Sequence, residues 1–158
     1  MKIHTHARYE IMYVTKGSCC VTINSDTCRL SAHHFIFIAK NVAHSLTVQE
    51  NVPCSILNIE FDFQSNPSSI PLDQLLMISD SFTNFFNSSY IDYIIGEDST
   101  DFGCAFKDLI LHLERRSFLM DMKKKNETDL KDNIALIKLS LFRALIELSR
   151  NINPDNNK

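Results

Sequence analysis

Between residues 9 and 63 the apolar positions of the chain recur with a period near two, and from residue 71 onward the period lengthens to about 3.6. Tyr9 to Thr15 is apolar on both faces once Glu10 is set aside, which predicts a strand covered on both sides. Gly17-Ser18 turns the chain into a strand from Cys19 to Asn24, and Ser25-Asp26 sends it back through Thr27 to Leu30 as a hairpin. Phe35-Ile36-Phe37-Ile38 lacks polar alternation, as a strand inside a sandwich or barrel does. Leu57, Ile59, Phe61 and Phe63 alternate with Asn58, Glu60 and Asp62, so this strand has one wet face. Glu60 and Asp62 therefore read as a solvated edge rather than an acid–base pair. The stretch 64–71, with two prolines and four serine or asparagine residues, closes the strand-rich part.

Beyond it, Leu72, Leu75 and Leu76 start a short helix with Pro71 at its first position, and Phe82, Phe85 and Phe86 mark a second. Gly96 to Asp101 breaks the pattern, and Ser99 or Thr100 is placed to cap the next helix. Phe102, Phe106, Leu109, Ile110 and Leu113 form one face of that helix, which runs to about Met122. His112 lies beside the stripe as a partly exposed helix residue, and Met120 and Met122 read as adaptable packing. Lys123 to Glu127 is a polar turn. In the last helix, about Thr128 to Ile152, Leu130, Ile134, Ile137, Leu141, Leu145 and Leu148 share one sector, whereas Leu136, Leu139, Phe142 and Ile146 lie opposite. A helix apolar on two opposite faces needs two partners. The second sector predicts a homodimer interface, unless the short helices of residues 71–87 fold over it. The organisation expected is α+β: a barrel with a pocket over 1–65, short helices and loops packing on it over 66–98, a helical dimerisation segment over 99–152, and a polar linker or end over 153–158.

Charge narrows the function. A chain of 158 residues with net charge −3 lacks a basic nucleic-acid-binding surface, and Lys123-Lys124-Lys125 is its one basic run. No apolar run approaches the roughly 20 residues of a membrane span, and His and Arg stand where a signal peptide has its apolar core, so a cytoplasmic protein is expected. Cys19, Cys20, Cys28, Cys54 and Cys104 show neither Cys-x-x-Cys spacing nor an even count, and read as small buried hydrophobes.

The candidate chemistry lies at the start of the chain. His4, His6 and Glu10 share a parity that Met12 and Val14 continue, so on one strand they face one way, and His44 follows the second apolar run. His33 and His34 are adjacent and face apart, which excludes a shared ligand role. The pattern His-x-His-x3-Glu-x6-Gly from His4 to Gly17 resembles the first cupin motif, and His44 resembles the histidine of the second. Ala39 and Asn41 stand where that second motif has Pro-x-Gly, and Val48 where it has Asn. With the hairpin and the helices that follow, the chain is similar to the N-terminal effector-binding and dimerisation domain of AraC-family transcription regulators, by motif over residues 3–63 and by general plan over 101–152.

That resemblance implies a cupin-type antiparallel β-barrel (jelly roll) followed by a C-terminal helical pair. It implies a small-molecule effector pocket formed by His4, His6, Glu10, Met12, Thr22 and His44, with transmission to a dimer and no enzymatic activity. DNA is then reached only through a helix-turn-helix domain outside this sequence. The cupin ligand pattern also places a divalent metal, zinc, nickel, manganese or iron, on His4, His6, Glu10 and His44. A metal-dependent cupin enzyme of dioxygenase or isomerase type is the competing reading. Residues 1–158 alone are expected not to bind DNA specifically; sequence-selective retardation of a promoter fragment by this segment would overturn that expectation.

Overall fold

The computed structural model describes residues 2–63, 72–88, 91–121 and 127–152. The chain runs β1 (Tyr9–Lys16), β2 (Ser18–Ile23), β3 (Asp26–Ser31), β4 (His34–Ile38), β5 (His44–Thr47), β6 (Ser55–Phe61), α1 (Leu72–Ile78), α2 (Asp80–Asn87), β7 (Tyr93–Glu97), α3 (Phe102–Asp121) and α4 (Glu127–Asn151). The strands form a four-stranded sheet in the order β6-β1-β4-β7 and a three-stranded sheet in the order β3-β2-β5, with every pairing antiparallel. The molecule is α+β, antiparallel sheets followed by a helical pair, as the periodicity predicts.

Strand alternation divides the interior into two cores. From β1 and β4, Met12, Val14, Ile36 and Ile38 turn toward the smaller sheet and pack with Cys19, Val21, Ile23 and Leu30. Ile11, Tyr13, Phe35 and Phe37 turn the other way and pack with Phe82, Phe85, Phe102, Phe106 and Leu148 of the helices. The runs without polar alternation are thus covered on both faces. Burying each such side chain stabilises the fold by about 1.5–3 kcal/mol. The helical layer is fixed to the sheet by more than packing. Tyr13 donates to Asp98 Oδ2 at 3.2 Å, and Asp98 accepts from the backbone N–H groups of Thr100, Phe102 and Gly103 at 2.7–3.2 Å, satisfying the free donors at the start of α3. Asp98 is therefore the residue that caps α3. Ser99 and Thr100, expected in that role, instead bind the side chain of Asn151 at the end of α4.

Several expectations are corrected. Tyr93–Glu97 lies beyond the expected end of the strand region, yet it pairs along β4 and completes the four-stranded sheet. Of the cysteines only Cys19 is buried; Cys20, Cys28 and Cys54 are half-buried, Cys104 is exposed, and all five are free thiols. The second sector of α4 is split: Leu136 and Leu139 are 42% and 63% exposed, whereas Phe142 and Ile146 are partly buried against the helix-side core. Glu60 is exposed on the edge strand β6, as expected of a solvated edge. The loop 64–71, Pro71, Met122, the run Lys123 to Lys125 and the tail 153–158 lie outside the described residues. No described helix is long and apolar enough to cross a membrane.

Gly17 closes the motif at the β1–β2 turn for a reason the geometry gives. Its φ is +76°, and a Cβ there would stand 2.0 Å from the carbonyl oxygen of Pro53. Gly17→Ala is expected to cost about 2 kcal/mol or more, because conformational strain and the clash add. Urea denaturation measures it; a loss under 0.5 kcal/mol, the ordinary surface range, would contradict this account.

Candidate metal centre

His4, His6, Glu10 and His44 come together where the two sheets meet, but not by the parity of one strand. The regular strand begins only at Tyr9. Ahead of it, His4 forms an isolated antiparallel bridge with His44, His4 N donating to His44 O at 3.0 Å and His44 N returning to His4 O at 3.1 Å. The chain thus starts on the edge of the three-stranded sheet beside β5, bends at Ala7-Arg8, and crosses to the four-stranded sheet. His6 stands on the crossing, held by Asn41 N donating to its carbonyl at 2.8 Å. Asn41 has φ +62°, the left-handed conformation that asparagine tolerates better than most side chains, so it makes the turn without glycine.

One ligand atom from each of the four residues lies within 4.8 Å of the others. Glu10 and His44 are each 1% exposed, whereas His4 and His6 are half-buried. All three rings have a backbone carbonyl on the far side: Nδ1 of His4 faces Lys2 O at 3.2 Å, Nδ1 of His6 faces Arg8 O at 2.9 Å, and Nδ1 of His44 faces Val42 O at 2.9 Å. A carbonyl only accepts, so each Nδ1 that bonds one carries a proton and each ring turns Nε2 toward the cluster. This is the outer-shell arrangement that orients metal-binding histidines.

Electrostatics make the same demand. Nε2 of His6 is 2.9 Å, and Nε2 of His44 2.6 Å, from the same oxygen, Glu10 Oε2. The His44 contact lacks hydrogen-bond alignment, leaving that buried nitrogen without a hydrogen-bond partner. An unpartnered imidazole nitrogen this close to a carboxylate oxygen that already pairs with His6 is unfavourable unless positive charge stands between them, as a proton or as a metal ion. Burial pulls the His6 imidazole down, but its hydrogen bond to Glu10, the Arg8 carbonyl and the charges of Glu10 and Glu60 together raise it above the ordinary value of 6.5. The donor set of three imidazoles and one carboxylate fits zinc, nickel, manganese or iron.

The other expected pocket residues fare differently. Met12 is 1% exposed and enclosed in the core between the sheets. Thr22 is corrected: on β2 the alternate residues Val21 and Ile23 point inward, so Thr22 faces outward and its hydroxyl pairs with that of Thr27 at 3.0 Å. His33 is exposed with φ +69° and lies 3.2 Å from the Tyr13 hydroxyl, while His34 starts β4, so neither joins the cluster. The carbonyls of Lys2, Arg8 and Val42 that fix the rings are backbone groups with no signal in the sequence.

Two antiparallel sheets carry this histidine and glutamate cluster where they meet, as the resemblance to the cupin motif leads one to expect. Residues 1–67 match the family model of the AraC-like ligand binding domain, the family that the motif resembles. Among solved structures, the chain is similar to oxalate decarboxylase from Bacillus subtilis at pH 4.6, at 20% identity and a TM-score of 0.36 over 58% of this chain and 25% of that one. A serine-to-alanine mutant of the same enzyme matches at 19% identity and a TM-score of 0.36, over 58% and 26%. The chain thus spans about a quarter of the length of these enzymes. No curated protein matches it by sequence.

Because His6 is raised in the folded protein, its pairing with Glu10 stabilises the metal-free fold fully below pH 6.5, and that contribution fades as pH rises through the raised value. In chelator-treated protein, the Tm difference between wild type and His6→Ala is expected to be larger at pH 6 than at pH 8. A difference that grows toward pH 8 would contradict the assignment.

Proposed function

We propose that this domain is the ligand-sensing and dimerisation part of an AraC-type transcription regulator, that it is not an enzyme, and that His4, His6, Glu10 and His44 hold a divalent metal ion within it. The observation that carries the metal is the buried, unpartnered Nε2 of His44 against Glu10, with three rings oriented by backbone carbonyls so that Nε2 faces the cluster. The match of residues 1–67 supports the sensing role. A bound metal would supply positive charge beside Glu10 and tie the residues around His4 and His6 to β5 and β1. A metal-dependent enzyme is the second reading, favoured by one observation: His4 and His6 are half-exposed, so one side of the cluster faces solvent.

Dimerisation is assigned to the exposed part of the α4 sector, Leu136 and Leu139, without Phe142 and Ile146. Each leucine left in water forgoes on the order of 1.5–3 kcal/mol, and a two-fold helix pair buries the same residues on both copies. DNA binding is assigned to sequence outside residues 1–158, and a cytoplasmic location accords with such a role.

Two measurements test this reading. Elemental analysis of protein purified without chelator or nickel resin is expected to find about one equivalent of metal, lost in Glu10→Gln and His44→Ala; metal-free wild type that also takes up none of the four ions would remove the metal from the proposal. Light scattering is expected to find a dimer that Leu139→Asp converts to a folded monomer. An unchanged dimer would place the interface elsewhere.

A further inference from the structure

The space between the two sheets is filled: Val14, Val21, Ile23, Leu30, Ile36 and Ile38 are fully buried there, so a small molecule has no room beside Met12 without opening the core. A cavity of about 210 Å³ instead lies on the opposite face of the four-stranded sheet, under α2. Its walls are aromatic and aliphatic, chiefly Tyr9, Phe37, Phe85, Phe86 and Ile94, and Lys40 is the one charged residue that lines it among the described residues. The rings are held by one another: Tyr9 stacks on Phe37 with centroids 5.5 Å apart, and Phe37 meets Phe85 edge-on at 5.1 Å. The walls are therefore preformed.

We infer that this cavity binds a small monocarboxylate carrying one apolar ring, the ring against Phe37 and Phe85 and the carboxylate on the Lys40 ammonium. Size supports a single ring, since a cavity of about 150 Å³ lined by apolar residues suffices for benzene and this one is larger by room for a short arm. Charge supports the head group. The Lys40 ammonium sits 4.9 Å from the Tyr9 ring centroid, with its side chain 33% exposed and thus reachable from both cavity and solvent. Lys40 also pairs with Asp62, but that pair is partly exposed on both sides, so sharing the ammonium with a second carboxylate costs little. The Tyr9 ring carries a hydroxyl, and the Ser88 hydroxyl, which donates to Phe85 O at 2.7 Å, keeps acceptor capacity at the cavity wall. The inference deepens the sensing role by naming a class of effector and rests on that role for its biological meaning. It places the binding on the helix side of the sheet, away from the histidine cluster.

Phenylacetate and its uncharged near-isostere phenylacetamide are the probes, titrated into the protein by calorimetry and by amide NMR. Saturable one-to-one binding of phenylacetate is expected, about tenfold tighter than the amide because a charge-assisted hydrogen bond is lost, with shifts centred on Lys40, Phe85, Ser88 and Ile94. Lys40→Met should bind both equally, and Ala39→Leu, which fills the cavity, should bind neither while retaining metal uptake and the folded circular dichroism spectrum. No saturable binding to wild type, equal affinity for the two probes, or shifts confined to the histidine cluster would overturn the inference. Failure here with metal uptake and dimerisation intact would leave the sensing reading standing; loss of those with phenylacetate binding intact would do the reverse.

Discussion

Glu10 is a carboxylate 1% exposed at the start of a strand that is itself buried on both faces, and the surroundings have to compensate it. Taking one such charge out of water costs several kcal/mol even after relaxation. The chain answers by bringing the imidazoles of His6 and His44 to the same oxygen and by fixing their orientation through backbone carbonyls. That answer dictates much of the surrounding architecture. The His4–His44 bridge, the bend at Ala7-Arg8 and the left-handed Asn41 serve to place three rings about one carboxylate. They also tie the edge of the smaller sheet to the start of the larger one.

Much of the fold was legible because its cause is local. A half-buried strand must alternate and a two-face-buried strand must not, so β1, β4 and β6 announce themselves, and the i, i+3, i+4 spacing of Phe82, Phe85 and Phe86 announces α2. β7 was not legible. Tyr93-Ile94-Ile95-Gly96-Glu97 is five residues with a glycine inside, and what makes it a strand is the free edge of β4. Gly96 is there because a Cβ would stand 2.3 Å from the Phe35 ring, a packing reason with no periodic signature.

The candidate site was half legible for a related reason. Its four residues were readable from type and motif spacing, yet the argument from shared parity fails, since His4 and His6 precede the strand and reach Glu10 by a crossing between sheets. Thr22 shows the limit from the other side: only the register of β2 decides which of its faces is inward, and neighbouring Val21 and Ile23 take that face. Cap identity follows the same rule. Asp98, Ser99 and Thr100 are all competent acceptors, and the choice falls on Asp98 because Tyr13 is there to share it.

β1 also borders both sides of the molecule. Tyr9 and Glu10 are consecutive, so their side chains leave the sheet in opposite directions, one into the aromatic cavity under α2 and the other into the histidine cluster. Three residues on, Tyr13 is hydrogen-bonded to the acid that caps α3, and burial together with the Asp98 charge pushes its hydroxyl up to about 12, so it stays a donor across the working pH range. A displacement of the β1 backbone large enough to move Glu10 must therefore also move the Tyr9 ring against Phe37 and strain the Tyr13–Asp98 bond. Neither core can absorb such a shift quietly, since both are packed to near-zero exposure around this strand. The strand that carries the carboxylate thus borders both cores and, through the Tyr13–Asp98 bond, the start of α3, which packs along α4.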